Sequence, residues 1–307
     1  MMGTQLALVR RELWEHRSLF VVPLVIALIE LLGSLVGQVT VSTADTAVDI
    51  AILGATNLGD NERAAAINVL MLGVSFLFVL AMGLLTIFYS LDSLYAERKD
   101  KSILFWRSLP VTDAETVVSK LLTAAIAIPL ITMVLIAATH IGVLLASSVW
   151  VGFRGANAWH LIWTAAPFFD NWASTLILLL ALSIWSAPFI GWFLFVSAYT
   201  KRSPFLLAFL PLVVLPMLER IFLGSTAFAK MLLDRAPYNV PIFEGIDAAE
   251  LFEDEAEFLE MAESGVSLLS FIDVGGFLVS LEVWLGLLVC GALCFGAIYM
   301  RRYRDDS

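Results

Sequence analysis

YAERKDKSILFWRSLPVTDAETVVSK, residues 95–120, is the longest charged interruption on the Lys/Arg-rich side of a chain made mostly of apolar runs. Its parts are ordered. A charged cluster, Glu97, Arg98, Lys99, Asp100 and Lys101, comes first. A short amphipathic segment follows, with Ile103, Leu104, Phe105, Trp106 and Leu109. Pro110 then breaks the chain, and Thr112 with Glu115 three residues later forms the capping-box signature of a new helix. A short helix held between two apolar helices, with aromatics beside charges, is built to press on another protein.

Outward from that stretch, composition sets the class. The 307 residues are 60% hydrophobic and 15% charged, against about 25% charged in soluble domains. Several apolar runs reach the roughly 20 residues that a helix needs to cross a bilayer. The expected fold is an all-α polytopic membrane protein in one transmembrane domain. An interfacial helix is predicted over 4–17, and six spans over about 19–39, 67–89, 117–150, 173–199, 204–223 and 274–300. The charged loop occupies 91–116 and a long loop 224–273. The first run is longer than the 7–15-residue apolar core of a cleavable signal, so it is expected to stay in the membrane. Cys290 and Cys294, the two cysteines, fall inside the last run and read as small apolar residues one helical turn apart.

The 4–17 segment gathers Leu6, Val9, Leu13 and Trp14 on one side of a helix, which reads as a helix lying in the membrane interface. Asp60 is placed to cap the second span. The third uncharged run, Leu121–Phe153, would be about 50 Å long as a straight helix, so it either projects beyond the bilayer or bends at Pro129. Pro188 is expected to kink the fourth span. Ser203 and Pro204 suit the start of the fifth, where Pro211 and Pro216 predict irregularity. Trp150, Trp159, Trp163 and Trp172 read as an aromatic belt at the water boundary. Asp247–Glu263 reads as an acidic amphipathic helix with eight carboxylates, packing as a lid over span ends or attracting cations.

Glu30, His140 and Glu282 are the candidate intramembrane polar sites. Glu30 is costly there, so it should face protein or water, as part of a pathway or of an interhelix hydrogen bond. His140 reads as a packed, hydrogen-bonded histidine. Glu282 stands near the outer part of the sixth span. With six spans, thirteen Lys and Arg residues share a side with both ends of the chain and the charged loop, and five fall opposite. The positive-inside rule then places that side in the cytosol.

No phosphate-binding G-x-x-x-x-G-K-[ST] loop occurs, nor H-E-x-x-H, nor G-x-S-x-G. The chain offers no catalytic constellation, no metal ligand set and no nucleic-acid partner. If it is a pump, its energy comes from a partner or an ion gradient.

The charged loop resembles that of ABC-2 type permeases, the membrane subunits of many bacterial ABC exporters. Glu97, Arg98, Ser102, Ile103, Trp106, Pro110, Val111, Thr112 and Lys120 match the family's loop pattern, although many members have Gly-Thr-Leu-Glu where this chain has Lys101-Ser102-Ile103-Leu104. The interfacial helix, six spans and helical outer elements are also similar to that family. The resemblance implies a dimer of permeases in the bacterial inner membrane, multi-pass, with both termini cytoplasmic and membrane lipid around it. ATP and Mg would be bound by separate ATP-binding cassette subunits. It implies that the loop carries a coupling helix, with Phe105, Trp106, Leu109 and Ile103 as buried anchors and Glu97, Arg98 and Lys101 at the rim. A plain membrane anchor is the other reading of Trp106. The alternatives in function are a secondary transporter relying on Glu30, His140 and Glu282, or an ATPase-coupled transmitter of force or signal.

Overall fold

The computed structural model describes residues 2–42, 59–101, 111–243 and 267–303. The phenylalanine, tryptophan and leucine anchors of the charged loop and the acidic segment 247–263 lie outside the described residues.

Helix α1 covers Met2–Glu15 and turns at Arg17 into α2, Ser18–Ser42. Helix α3, Asp60–Lys99, has 40 residues and is about 60 Å long, twice the hydrocarbon thickness. Its N-cap is Gly59, whose amide donates to the Glu62 carboxylate at 2.7 Å. Asp60, expected as the cap, stands in the first turn and pairs with Arg63. At the other end α3 runs past the predicted loop start at residue 91. No breaker intervenes, and Leu91, Leu94 and Glu97 are buried against the bundle, so packing carries the helix on to Lys99. Lys101 then takes a left-handed backbone, φ 57°.

Helix α4, Asp113–Leu122, starts with the expected capping box. The Glu115 amide donates to Thr112 Oγ1 at 3.1 Å, and the Thr112 amide donates to Glu115 Oε2 at 2.9 Å. A π-helical turn, Thr123–Ala127, joins it to α5, Ile128–Phe153. The turn sits just before Pro129, whose missing N–H the ladder must accommodate.

The fourth apolar run is not one kinked helix. It divides into α6, Phe168–Trp185, and α7, Ala187–Tyr199, at Ser186. Pro188 cannot donate to the Ile184 carbonyl and its ring crowds that turn. The fifth run is one helix, α8, Pro204–Leu223, with both internal prolines accommodated, and it ends at Gly224 in the left-handed region, φ +62°. Helix α9, Ala227–Asp234, follows. The sixth run is divided too. Asp273 caps α10, Val274–Val279, and Ser280 in an extended conformation separates it from α11, Leu281–Tyr303.

Six helical stretches among the described residues are long and apolar enough to cross a membrane, beginning at Ser18, Asp60, Asp113, Phe168, Pro204 and Leu281. The fold is an all-α polytopic membrane protein. The core is built from α3, α4, α5, α6, α7 and α11, with Phe78, Trp185, Ile190 and Leu194 among its buried side chains. Helices α7 and α11 pack against each other closely at Gly191. A Cβ on Gly191 would stand 3.0 Å from the Cys290 Cα. Helix α8 is peripheral, and Ala208 is its one fully buried residue.

The long loop is closed at its base. Phe243 pairs with Ile272 in an isolated antiparallel bridge, and the Asp273 amide donates to the Ile242 carbonyl at 2.8 Å. The Leu268 and Leu269 amides and the Ser267 hydroxyl all donate to Asp170 at the start of α6.

Candidate functional site

At the end of the bundle that holds α1, the start of α4 and the end of α11, charged side chains meet around a core shielded from water, with Arg11 and Asp113 partly exposed at its edge. Lys120 and Glu12 are fully buried, and Glu97 and Arg301 nearly so. Lys120 Nζ donates to Glu12 Oε1 and Oε2 at 3.0 and 2.9 Å and lies 3.0 Å from Glu97 Oε1. Arg301 Nη1 donates to Glu97 Oε2 at 2.5 Å, and Arg301 Nε donates to Asp113 Oδ1 at 2.8 Å. Arg11 Nη2 bridges Glu12 and Glu97 at 2.7 and 2.8 Å. Tyr89 donates its hydroxyl to Glu12 Oε2 at 2.9 Å, with the His16 ring edge-on against it.

The carboxylates of Glu12, Glu97 and Asp113 thus face the cations of Arg11, Lys120 and Arg301. This balance is what lets charges persist where water cannot solvate them. Burial would lower the Arg11 value, but Glu12, Glu15 and Glu97 outweigh it and hold the guanidinium above its ordinary range. Burial dominates at His16 and pushes its imidazole below the usual value, against the pull of Glu12. Glu12, Glu15 and His16 lie close enough together to hold a metal ion, but Lys120 and Arg11 already occupy Glu12.

The cluster changes the reading of two residues. Glu97, expected at the rim of a partner interface, is turned inward, because three cations of its own chain converge on it. Arg98 also bonds inward, donating to the Ser197 and Thr200 carbonyls at 2.6 and 2.9 Å at the end of α7. Ser197 Oγ accepts from the Leu94 and Tyr95 amides, so α3 and α7 are joined at this level. Lys101 is exposed. Ile103, Phe105, Trp106 and Leu109 lie outside the described residues. A cleft of about 380 Å³ opens beside the cluster, lined by Val111, Thr112, Asp113, Ile298, Arg301 and Arg302.

The intramembrane candidates are not brought together: among the described residues no hydrogen bond or ion pair joins them. His140 is buried with both ring nitrogens engaged. Nδ1 accepts from Trp172 Nε1 at 3.1 Å, which leaves Nε2 to donate to the Met71 carbonyl at 2.8 Å. That is a neutral, structural histidine with no free lone pair for a metal or a proton relay. Glu30 is half-buried, and its Oε2 has no hydrogen-bond partner among the described residues. Glu282 is exposed in the first turn of α11, where its backbone carbonyl accepts from Arg235 Nη1 at 2.9 Å.

Sequence reasoning passed over Glu12, Arg11, Tyr89, Asp113 and Arg301. Lys120 was visible only as the last residue of the loop pattern. One signal was available for Glu12: it stands four residues after Leu8, so the two share a face opposite the Leu6–Trp14 side of α1.

Six long apolar helical stretches with a buried charge cluster at one end are the frame of a polytopic membrane protein. The model of the ABC-2 family transporter protein matches residues 64–217, just over half of the chain, and the chain belongs to that family. It is a permease of an ABC transporter, a kind of subunit that partners an ATP-binding subunit and is not itself catalytic. The match runs from the first turns of α3 into α8. No curated protein and no solved structure matches the chain.

Proposed function

We propose that this chain is the permease subunit of an ATP-driven exporter. Two copies form the pathway, and ATP with Mg is bound and hydrolysed in separate cassette subunits docked below. The reading has the subunit in a bacterial inner membrane with both termini cytoplasmic. The observation that carries it is the way the segment between Asp100 and Thr112 is held. Glu97 precedes it and Asp113 follows it, and Arg301 grips both. A push on that segment therefore moves α3, α4 and α11 together, with α1 following through Glu12 and Lys120. A rigid-body shift of packed helices is the standard way such a push becomes a change of access.

In this reading Lys101, Ile103, Phe105, Trp106 and Leu109 meet the cassette subunit, with the aromatics as anchors. Glu97 and Arg98 act from behind, fixing the segment to the bundle. The apolar surface of α8 suits a second copy or lipid. The test is co-expression with candidate cassette subunits, affinity capture of the permease and ATPase assay of the captured material. A stoichiometric ATP-binding subunit, lost in Phe105→Ala/Trp106→Ala while membrane insertion persists, is the expected result. Capture that is indifferent to both substitutions would remove the coupling role from this segment.

A further inference from the structure

Two neighbouring arginines of α1 have opposite fates. Arg11 is turned inward and neutralised by Glu12, Glu15 and Glu97. Arg10 is exposed, with no ion pair among the described residues, and its guanidinium lies 4.7 Å over the ring of Trp14. Arg17, at the corner between α1 and α2, is likewise exposed and without an ion pair among the described residues.

The side chains around them fix where this face lies. Gly3, Leu6, Ala7, Arg10 and Trp14 fall on one contiguous arc of α1, all exposed, while Leu8 and Glu12 on the opposite arc are buried against the bundle. Leu6 is 72% exposed and Trp14 68%. One turn beyond Arg17 the membrane span begins with Phe20 and Val21, also exposed. A large apolar row that continues into a span is a row facing lipid, and tryptophan beside arginine is typical of headgroup depth. At that depth Arg10 extends its charged head toward the phosphate layer. Stacking on Trp14 uses the flat face of its guanidinium and leaves the N–H edges for an oxyanion, which they bind in bidentate fashion.

We infer that Arg10 and Arg17, with Trp14 between them, form a binding surface for anionic phospholipid headgroups on the leaflet that α1 rests on. Charge complementarity selects the occupant: two exposed guanidinium groups, without an ion pair among the described residues and flanked by apolar residues, match a phosphodiester with net negative charge above acyl chains. A zwitterionic lipid, whose choline opposes the same cations, fits less well. The surface is separate from the cassette-coupling reading and needs neither an ATPase partner nor a transported substrate.

The test reconstitutes the full chain in phosphatidylcholine bilayers containing spin-labelled phosphatidylglycerol or spin-labelled phosphatidylcholine. The motionally restricted fraction of each label gives the selectivity. Each arginine near a charged surface is worth about fivefold in lipid affinity. The wild-type chain is expected to prefer phosphatidylglycerol by several-fold and to lose the preference with rising salt. Arg10→Gln/Arg17→Gln should bring it close to unity, and Arg10→Lys/Arg17→Lys should keep most of it. Lys201→Gln/Arg202→Gln, which removes exposed charges elsewhere, should change it little. A wild-type chain without preference, a glutamine pair that keeps the wild-type value, or a loss produced by the 201/202 pair alone would overturn the assignment.

Discussion

Replacing Lys120 by Met tests the cluster most directly. The ammonium is fully buried and contacts both carboxylate oxygens of Glu12 and one of Glu97. Met keeps the unbranched stem, one atom shorter, and removes the charge. Glu12 would keep Arg11 and the Tyr89 hydroxyl, and Glu97 would keep Arg301 and Arg11, but two buried carboxylates would face each other across an empty ammonium site. Removing one partner of a buried ion pair costs about 3–5 kcal/mol. At roughly 2–4 °C per kcal/mol for a chain of this size class, the apparent midpoint should fall by about 6–20 °C. The assay is thermal unfolding of detergent-solubilised protein followed by fluorescence-detected size exclusion. Adding Glu12→Gln should recover part of the loss, because the substitution removes the carboxylate that lost its main partner while its amide oxygen still accepts from Tyr89. A Lys120→Met midpoint within about 2 °C of wild type, with no change on adding Glu12→Gln, would mean the cluster is solvated and the reasoning fails.

Three further outcomes are expected. Gly191→Ala places a methyl 3.0 Å from the Cys290 Cα and 3.1 Å from its carbonyl oxygen, where backbone cannot yield; a loss of about 1–3 kcal/mol should appear as a lower unfolding midpoint, while Gly291→Ala, with open space around it, should be neutral. Gly286→Ala would put a Cβ 1.5 Å from Arg235 Nη2 and expel the guanidinium from its place over Trp185, so Gly286→Ala and Arg235→Ala should not be additive in a double-mutant cycle read by the same assay. His16 is held neutral by burial, so its folded value lies below the unfolded one, near 6.5; its contribution is complete above that pH and is lost as pH falls below it. Between pH 7 and pH 5.5, roughly, the wild-type midpoint should therefore decline more steeply than that of His16→Gln.

Much of the architecture was legible because bilayer physics writes it in linear form. A span must be long, apolar and internally hydrogen-bonded, so six runs announce themselves without tertiary information. The Thr112–Glu115 cap is equally local, and both of its hydrogen bonds are present. Interruptions were harder to place. Pro188 signalled a disturbance, but whether a proline kinks a helix or divides it depends on the neighbours that satisfy the freed carbonyl. The same residue type left α8 continuous at Pro211 and Pro216.

The site was legible only at its edges. Sequence alone determined that this chain spans the membrane as helices and that a new helix starts behind the Thr112 cap, because hydropathy and capping act over a few neighbouring residues. Only the tertiary structure decided that Glu97 faces inward, because its partners Lys120, Arg301 and Arg11 come from three other helices and lie 23, 204 and 86 positions away in the chain. An exposed glutamate in a basic loop and a buried one in an ion cluster read the same along the sequence. They differ in which distant charges converge on the carboxylate once water is gone.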